Sequence, residues 1–350
     1  MKPYERIRAV LNRQPVDRTP VDLWCTPEVV DSLKAHTGLD DELAVYAALG
    51  IDKIVWVNPD YMGSWPVVAG ADSTNLWGVP KRNVTSGLAT YEEVVGWPLA
   101  DFDSLAELDD YPWPDPDLFD YAGARDLADR ARSFGFATIG PWISHFEIYC
   151  QLRGLENSLV DTLLNEDFLT AALDRIEDVQ TRMLTRYLTE LGDRADLVFL
   201  SDDMGTQQNL LLSLETWETH FKPRVKRWCD LVHGFGKKVL YHSDGACAPI
   251  IPGLIEAGVD LLNPIQHICP GMELPGLKER FGDALVFHGG VENQNTLPFG
   301  TVDDVIAETR ACLDTLGRDG GYIACSCHNV QAGTPVANIL ALVDTVKSYG

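Results

Sequence analysis

Residues 197–207 read Leu197-Val198-Phe199-Leu200-Ser201-Asp202-Asp203-Met204-Gly205-Thr206-Gln207, and residues 238–245 read Lys238-Val239-Leu240-Tyr241-His242-Ser243-Asp244-Gly245. Each stretch is apolar first and then ends in polar residues and glycine. Apolar runs of this kind suit strands buried on both faces, as in parallel sheets. Between the two, Trp217, Phe221, Val225, Trp228, Val232 and Phe235 recur at spacings of three and four, the stripe of a buried helical face. Gly234 and Gly236 mark its stop. Strand, helix, strand at this cadence predicts a right-handed βαβ unit.

The same cadence extends outward in both directions. Upstream runs at 20–24, 52–57 and 136–140 and downstream runs at 261–265, 284–288 and 321–325 bring the predicted strands to eight. Val302, Val305, Ile306, Thr309, Leu313 and Leu316 form a further helical stripe, and Ile339, Leu342, Val343 and Val346 the last one. Eight such units close most economically into a (β/α)8 TIM barrel, read as a single domain over residues 1–350. A doubly wound open sheet is the weaker alternative, because no Gly-x-Gly-x-x-Gly follows the first strand. Residues 58–120 break the cadence with Pro59, Gly63, Trp65, Pro66, Trp77, Gly78 and Pro80, then Tyr111-Pro112-Trp113-Pro114. They read as an insertion after the second strand, with a short antiparallel ribbon near 73–92, of the kind that shapes a pocket at a barrel mouth.

Composition narrows the function. With 28 Lys and Arg against 52 Asp and Glu, the net charge is −24. Such a chain repels phosphate backbones and anionic lipid, so nucleic acid and membrane are not expected partners. No apolar run approaches the roughly 18 residues of a membrane span. The opening Met1-Lys2-Pro3-Tyr4-Glu5-Arg6 does not read as a secretory signal, so a cytoplasmic location is expected. The eight cysteines are scattered and include no Cys-x-x-Cys, which argues against a disulfide framework and a structural zinc ribbon. The crowded stretch is Cys325-Ser326-Cys327-His328.

Barrel enzymes of this type work at the C-terminal ends of their strands. There the sequence delivers Asp202, Asp203 and Gln207 after the fourth strand, and His242 and Asp244 after the fifth. Asn263 and Gln266-His267 follow the sixth, His288 the seventh, and Cys327-His328-Asn329 the eighth. His242, Asp244, Cys327 and His328 offer a zinc ion three protein ligands and one open position. Of Asp202 and Asp203 only one can face the pocket, because neighbours on a strand point to opposite faces. That carboxylate is a candidate acid or base. Asp202, Asp203, Asp244 and His288 are thus candidate catalytic residues, and Glu147, Tyr149, Gln207 and Asn329 candidate substrate contacts.

The motifs together resemble the uroporphyrinogen decarboxylase superfamily. The resemblance rests on Asp17-Arg18-Thr19-Pro20, on the 201–207 run and on His220-Phe221-Lys222-Pro223-Arg224. It also rests on 236–245, Glu256-Ala257-Gly258-Val259-Asp260 with Asn263-Pro264, Gly289-Gly290-Val291-Glu292, and Gly333-Thr334-Pro335 with Asn338-Ile339. The superfamily implies two chemistries. One is cofactor-free decarboxylation of porphyrinogens, which uses arginines after the first strand; Trp24-Cys25-Thr26-Pro27-Glu28 stands in that place here. The other is methyl transfer with a corrinoid-carrying partner, through zinc held by His-x-Cys after the fifth strand and Cys after the eighth.

In this chain His242 matches the family's His, Asp244 replaces the first Cys, and His328 or Cys327 stands at the second. Hard O and N ligands favour a more electrophilic zinc. The resemblance therefore implies a zinc-dependent methyltransferase or demethylase of the corrinoid-dependent branch, acting on a small O- or N-methylated substrate. The alternatives are a metal-free decarboxylase or lyase on a small carboxylic acid, with Asp202 or Asp203 and His288 as acid and base, and a binding scaffold without turnover. The sequence leaves monomer or dimer open. The aromatic residues Trp56, Tyr61, Trp65 and Trp77 suggest a pocket for an aromatic ring or a quaternary ammonium group.

Overall fold

The computed structural model describes residues 1–349. Seven parallel strands pair in chain order: β1 (Ile54–Trp56), β7 (Ala137–Ile143), β8 (Leu197–Ser201), β9 (Lys238–His242), β10 (Leu261–Asn263), β11 (Val286–His288) and β12 (Tyr322–Ile323). Helices follow the strands and cover the outside of a curled, TIM-barrel-like sheet. The run 20–24, expected as a full strand, is present only as an isolated parallel bridge of Val21 to Ala324. Asp52 N–H donates to the Val21 carbonyl at 2.7 Å on its other side. The ladder stops there because the Asp22 carboxylate takes the amides of Leu23 and Ile54, which would otherwise pair with strand carbonyls.

Alternation along the strands builds two cores. Ile54, Ala137, Ile139, Leu197, Phe199, Leu240, Leu261, Val286 and Ile323 point inward as one cluster. Ile7, Val10 and Leu11 of the helix Pro3–Leu11 belong to the same cluster. The residues in between, such as Val198, Val239, Leu262 and Phe287, join the outer core under the helices.

The helical stripe at 217–235 is two helices, Leu214–His220 and Lys222–Gly234. The break falls where Pro223, which has no N–H, takes the second position of the new helix. Between β1 and the helix Tyr121–Ser133 the chain forms β2 (Asp60–Tyr61), β3 (Ser73–Thr74), β4 (Pro80–Ser86), β5 (Ala89–Val94) and β6 (Phe119–Asp120). β3, β4 and β5 make an antiparallel sheet, and β2 pairs with β6. Trp65 stacks on Tyr111, and Trp77 and Tyr111 meet Trp113 edge-on. These tryptophans form the core of this segment, where a ligand cage was expected. No helix among the described residues is long and apolar enough to cross a membrane. All eight cysteines are free.

Candidate metal centre

The inward phase of alternation decides which groups reach the mouth. In β9, Leu240 faces inward, so His242 does too; in β10 the same phase carries Asn263, and in β11 His288. Their registers bring His242 beside Asn263 and Leu262 beside Phe287. Trp24, Trp56 and Phe199 pack beneath as an aromatic floor, with the Phe199 and His242 rings 5.4 Å apart.

Ligand atoms of His242, Asp244 and His328 lie within 4.8 Å of one another. His242 Nε2 is 3.9 Å from Asp244 Oδ1, and His328 Nε2 is 3.7 Å from Asp244 Oδ2. Nitrogen and oxygen ligands around tetrahedral zinc sit about 3.4 Å apart, for bonds of about 2.1 Å. The His242–Asp244 and His328–Asp244 pairs each exceed that spacing by about 0.3–0.5 Å, through different carboxylate oxygens, and the two-nitrogen, one-oxygen donor set is one that zinc takes. His242 Nδ1 is committed to Asn263 Oδ1 at 2.5 Å, so Nε2 faces the other two ligands. Burial pushes the His328 imidazole below its ordinary value against the pull of Asp244, which favours the neutral, ligating form. Burial raises the Asp244 carboxyl, and His242 and His328 oppose that shift.

Two glycines make this approach possible. A Cβ on Gly205 would stand 2.4 Å from the Asp244 carbonyl, and one on Gly245, at φ +79°, 2.4 Å from the Thr206 carbonyl. The loops after β8 and β9 thus touch backbone to backbone. Asp203 Oδ1 accepts from Asp244 N–H at 2.9 Å and lies 3.8 Å from His242 Nε2.

Asp202 points the other way. Its Oδ1 accepts from Ser144 Oγ at 2.7 Å and from the amides of Phe146 at 2.6 Å and Glu147 at 3.0 Å. The His145 amide adds a longer contact. It thereby holds the N-terminus of the helix Phe146–Arg153, an anion against the helix dipole. Burial pushes its carboxyl up to about 7, with these donors pulling it down. Asp202, a candidate catalytic residue in the sequence, is placed as a structural anchor on the helix side of β8.

The same helix carries Glu147 into the mouth. Ser201 Oγ donates to it, and burial together with Asp203 and Asp202 raises its carboxyl to about 7. Tyr149, expected beside it, is buried with its hydroxyl donating to Asp161 at 2.5 Å, away from the site. His288, a candidate catalytic residue in the sequence, is fully buried and hydrogen-bonded between Asn263 and Asp22.

Asp244, Cys327 and His328 line a cavity of about 590 Å³ together with Gln207 and Gln266. Gln266 Nε2 donates to Gln207 Oε1 at 3.1 Å and its Oε1 accepts from Gly245 N–H at 2.8 Å, which anchors the Asp244 loop. Cys327 lies outside the three-ligand group, and burial, Asp244 and Glu292 raise its thiol well above the ordinary value. Of the two candidates after β12, the geometry brings His328 to the cluster. Asn329 lines a different cavity, of about 290 Å³, with Trp24, Lys53 and Trp56. Asn263 and Gln266 went unassigned in the sequence, although counting by two from Leu261 finds the first.

A TIM-barrel-like sheet with a candidate three-ligand centre at its strand ends is the class of protein these features define. The chain belongs to the uroporphyrinogen decarboxylase (URO-D) family, whose model matches residues 97–349. No curated protein matches it. Among solved structures, a methyltransferase from Methanosarcina mazei is similar over 100% of this chain and 99% of its own, with a TM-score of 0.69 and 18% identity. A GH20 module of the pneumococcal exo-beta-D-N-acetylglucosaminidase StrH follows at a TM-score of 0.48 and 12% identity, covering 97% of this chain and 85% of that one. At 18% identity the likeness to the methyltransferase is one of fold.

Proposed function

We propose that this chain is a zinc-dependent methyltransferase of the URO-D family, moving a methyl group between a small O- or N-methylated substrate and a corrinoid on a partner protein. The observation that carries the reading is the convergence of His242, Asp244 and His328, with His242 Nε2 left free by the Nδ1 contact to Asn263. The fold likeness to a protein named as a methyltransferase supports it. Zinc held by these three residues would polarise the heteroatom that carries the methyl group. Glu147, with its carboxyl near 7 and Asp203 beside it, is suited to exchange a proton with that heteroatom near neutral pH. The cavity beyond Asp244 and His328 would hold the rest of the substrate, with Gln207 on its wall. Segment 58–120 would act as an insertion roofing the rim; the Tyr91 hydroxyl donating to Gln331 at 2.9 Å supports that role.

A metal-free carboxy-lyase is the weaker reading. Of its proposed acid and base groups, Asp202 and His288 are tied into buried hydrogen bonds, and Asp203 alone faces the mouth. Elemental analysis of the purified protein, followed by methyl transfer from a panel of O- and N-methylated compounds to free cob(I)alamin, tests the proposal. Metal-free protein that releases CO2 from a small acid would replace it.

A further inference from the structure

Beneath the candidate ligands lies a chain of buried polar groups that the proposed chemistry does not use. His242 Nδ1 meets Asn263 Oδ1 at 2.5 Å, Asn263 Nδ2 meets His288 Nδ1 at 2.8 Å, and His288 Nε2 meets Asp22 Oδ2 at 3.1 Å. His242 is 7% exposed, Asn263 1%, and His288 and Asp22 0%. We propose that Asn263, His288 and Asp22 are positioning residues that hold His242 in its Nδ1–H form, with the Nε2 lone pair facing Asp244 and His328. The proposal rests on the metal-centre reading for its purpose, and on the hydrogen bonds alone for its existence.

The direction of each bond follows from what each group is able to donate. Asp22 takes the amides of Leu23 and Ile54, the Trp24 indole N–H at 2.9 Å and the Lys53 ammonium at 3.3 Å, so it is an acceptor throughout. His288 Nε2 must therefore carry the hydrogen that faces it. The other ring nitrogen, Nδ1, meets Asn263 Nδ2 at 2.8 Å, and with the NH2 side of Asn263 there it is the acceptor.

An independent contact fixes the same amide orientation. Asn263 Nδ2 also donates to the His288 carbonyl at 3.3 Å, and the flipped amide would set oxygen against oxygen there. The Asn263 carbonyl then faces His242 Nδ1, which must donate. One hydrogen on a neutral imidazole leaves Nε2 bare. The identity of a candidate ligand atom is thus set three residues away, at an aspartate pinned where the 20–24 run meets the sheet.

The same logic separates this chain from a second metal site. Asp22, His288 and Cys325 lie close enough to hold an ion. They are fully buried, His288 and Asp22 already bond each other, and the Lys53 ammonium occupies the cation's place.

The test uses the full chain after chelator treatment, labelled with 15N-histidine, with the His242 signals assigned by their loss in His242→Gln. The expected result is an Nδ1–H tautomer for His242 in the wild type. Asn263→Asp keeps an acceptor opposite Nδ1 and should retain that tautomer. Asn263→Leu and His288→Gln should shift it toward Nε2–H and weaken zinc binding by about 10–100-fold in chelator competition. An Nε2–H tautomer in the metal-free wild type overturns the proposal. So does an unchanged tautomer in folded Asn263→Leu, and so does loss of the Nδ1–H form in Asn263→Asp. If Asn263→Leu does not fold, the wild type and Asn263→Asp still decide. A fixed Nδ1–H form in a protein that binds no zinc would sink the metal reading and leave the positioning chain standing.

Discussion

Replacing Asp202 with alanine separates an anchor from a catalyst. The carboxylate is 2% exposed and accepts from one hydroxyl and the first amides of the helix Phe146–Arg153. Each buried donor left without a partner costs about 1–3 kcal/mol, and loss of the anion at the helix N-terminus adds up to about 2 kcal/mol. Relief of the carboxylate's own burial, which raises it to about 7, offsets part of that. The balance is a loss of about 3–5 kcal/mol, the range for breaking a buried charged contact. For a chain of this size it lowers the melting temperature by roughly 4–7 °C. Asp202→Asn keeps an acceptor oxygen and should lose about half as much. Urea unfolding at pH 7, with zinc content measured alongside, reads both effects. Both variants should keep wild-type zinc, because the carboxylate faces away from His242. Stability lowered by under about 1 kcal/mol in Asp202→Ala, or turnover abolished in a fully stable Asp202→Asn, would refute the anchor role.

Five further changes probe the mouth. Asp244→Ala and His328→Ala should each weaken zinc by at least about 100-fold with the fold intact, since a three-ligand site cannot spare one, and chelator competition measures this. Cys327→Ser should leave zinc affinity unchanged in the same assay. Glu147 is raised to about 7 from an ordinary 4.5, so the fold favours its protonated form. Its contribution is therefore full below pH 4.5 and lost as pH rises through 7; Glu147→Gln should remove that loss, gaining up to about 3 kcal/mol on the metal-free wild type at pH 8 in urea titrations at several pH values. Gly245→Ala, strained at φ +79° and 2.4 Å from the Thr206 carbonyl, should displace Asp244 and weaken zinc by about 10-fold or more in calorimetry.

Much of this was legible in the residues. Unbroken apolar runs ending in His242, Asn263 and His288 located the strands, because burial on both faces leaves no polar alternation to misread. The His242-x-Asp244 spacing and Cys327-His328 located the rim. The sequence left the choice within each pair open. Which of Asp202 and Asp203 faces inward depends on the phase of β8, and counting by two from Phe199 through Ser201 gives Asp203.

The role of His288 was hidden for a different reason. A histidine at a strand end looks the same whether it meets substrate or Asp22, a partner 266 residues away in sequence. The 20–24 run reads as a strand from composition, and only the capture of two amides by Asp22 cuts its ladder short. Trp65 and Trp77 look like cage residues until the packing of 58–120 supplies Tyr111 and Trp113 as their neighbours.

The metal centre is tested most directly by metal analysis of the purified wild type and His242→Ala, each checked for native secondary structure by circular dichroism. The wild type should hold one zinc per chain, and His242→Ala should lose most of it while remaining folded, since His242 sits at the rim above an intact Phe199 and Trp24 floor. Stoichiometric zinc retained in folded His242→Ala would contradict the assignment of His242, Asp244 and His328 as the ligands.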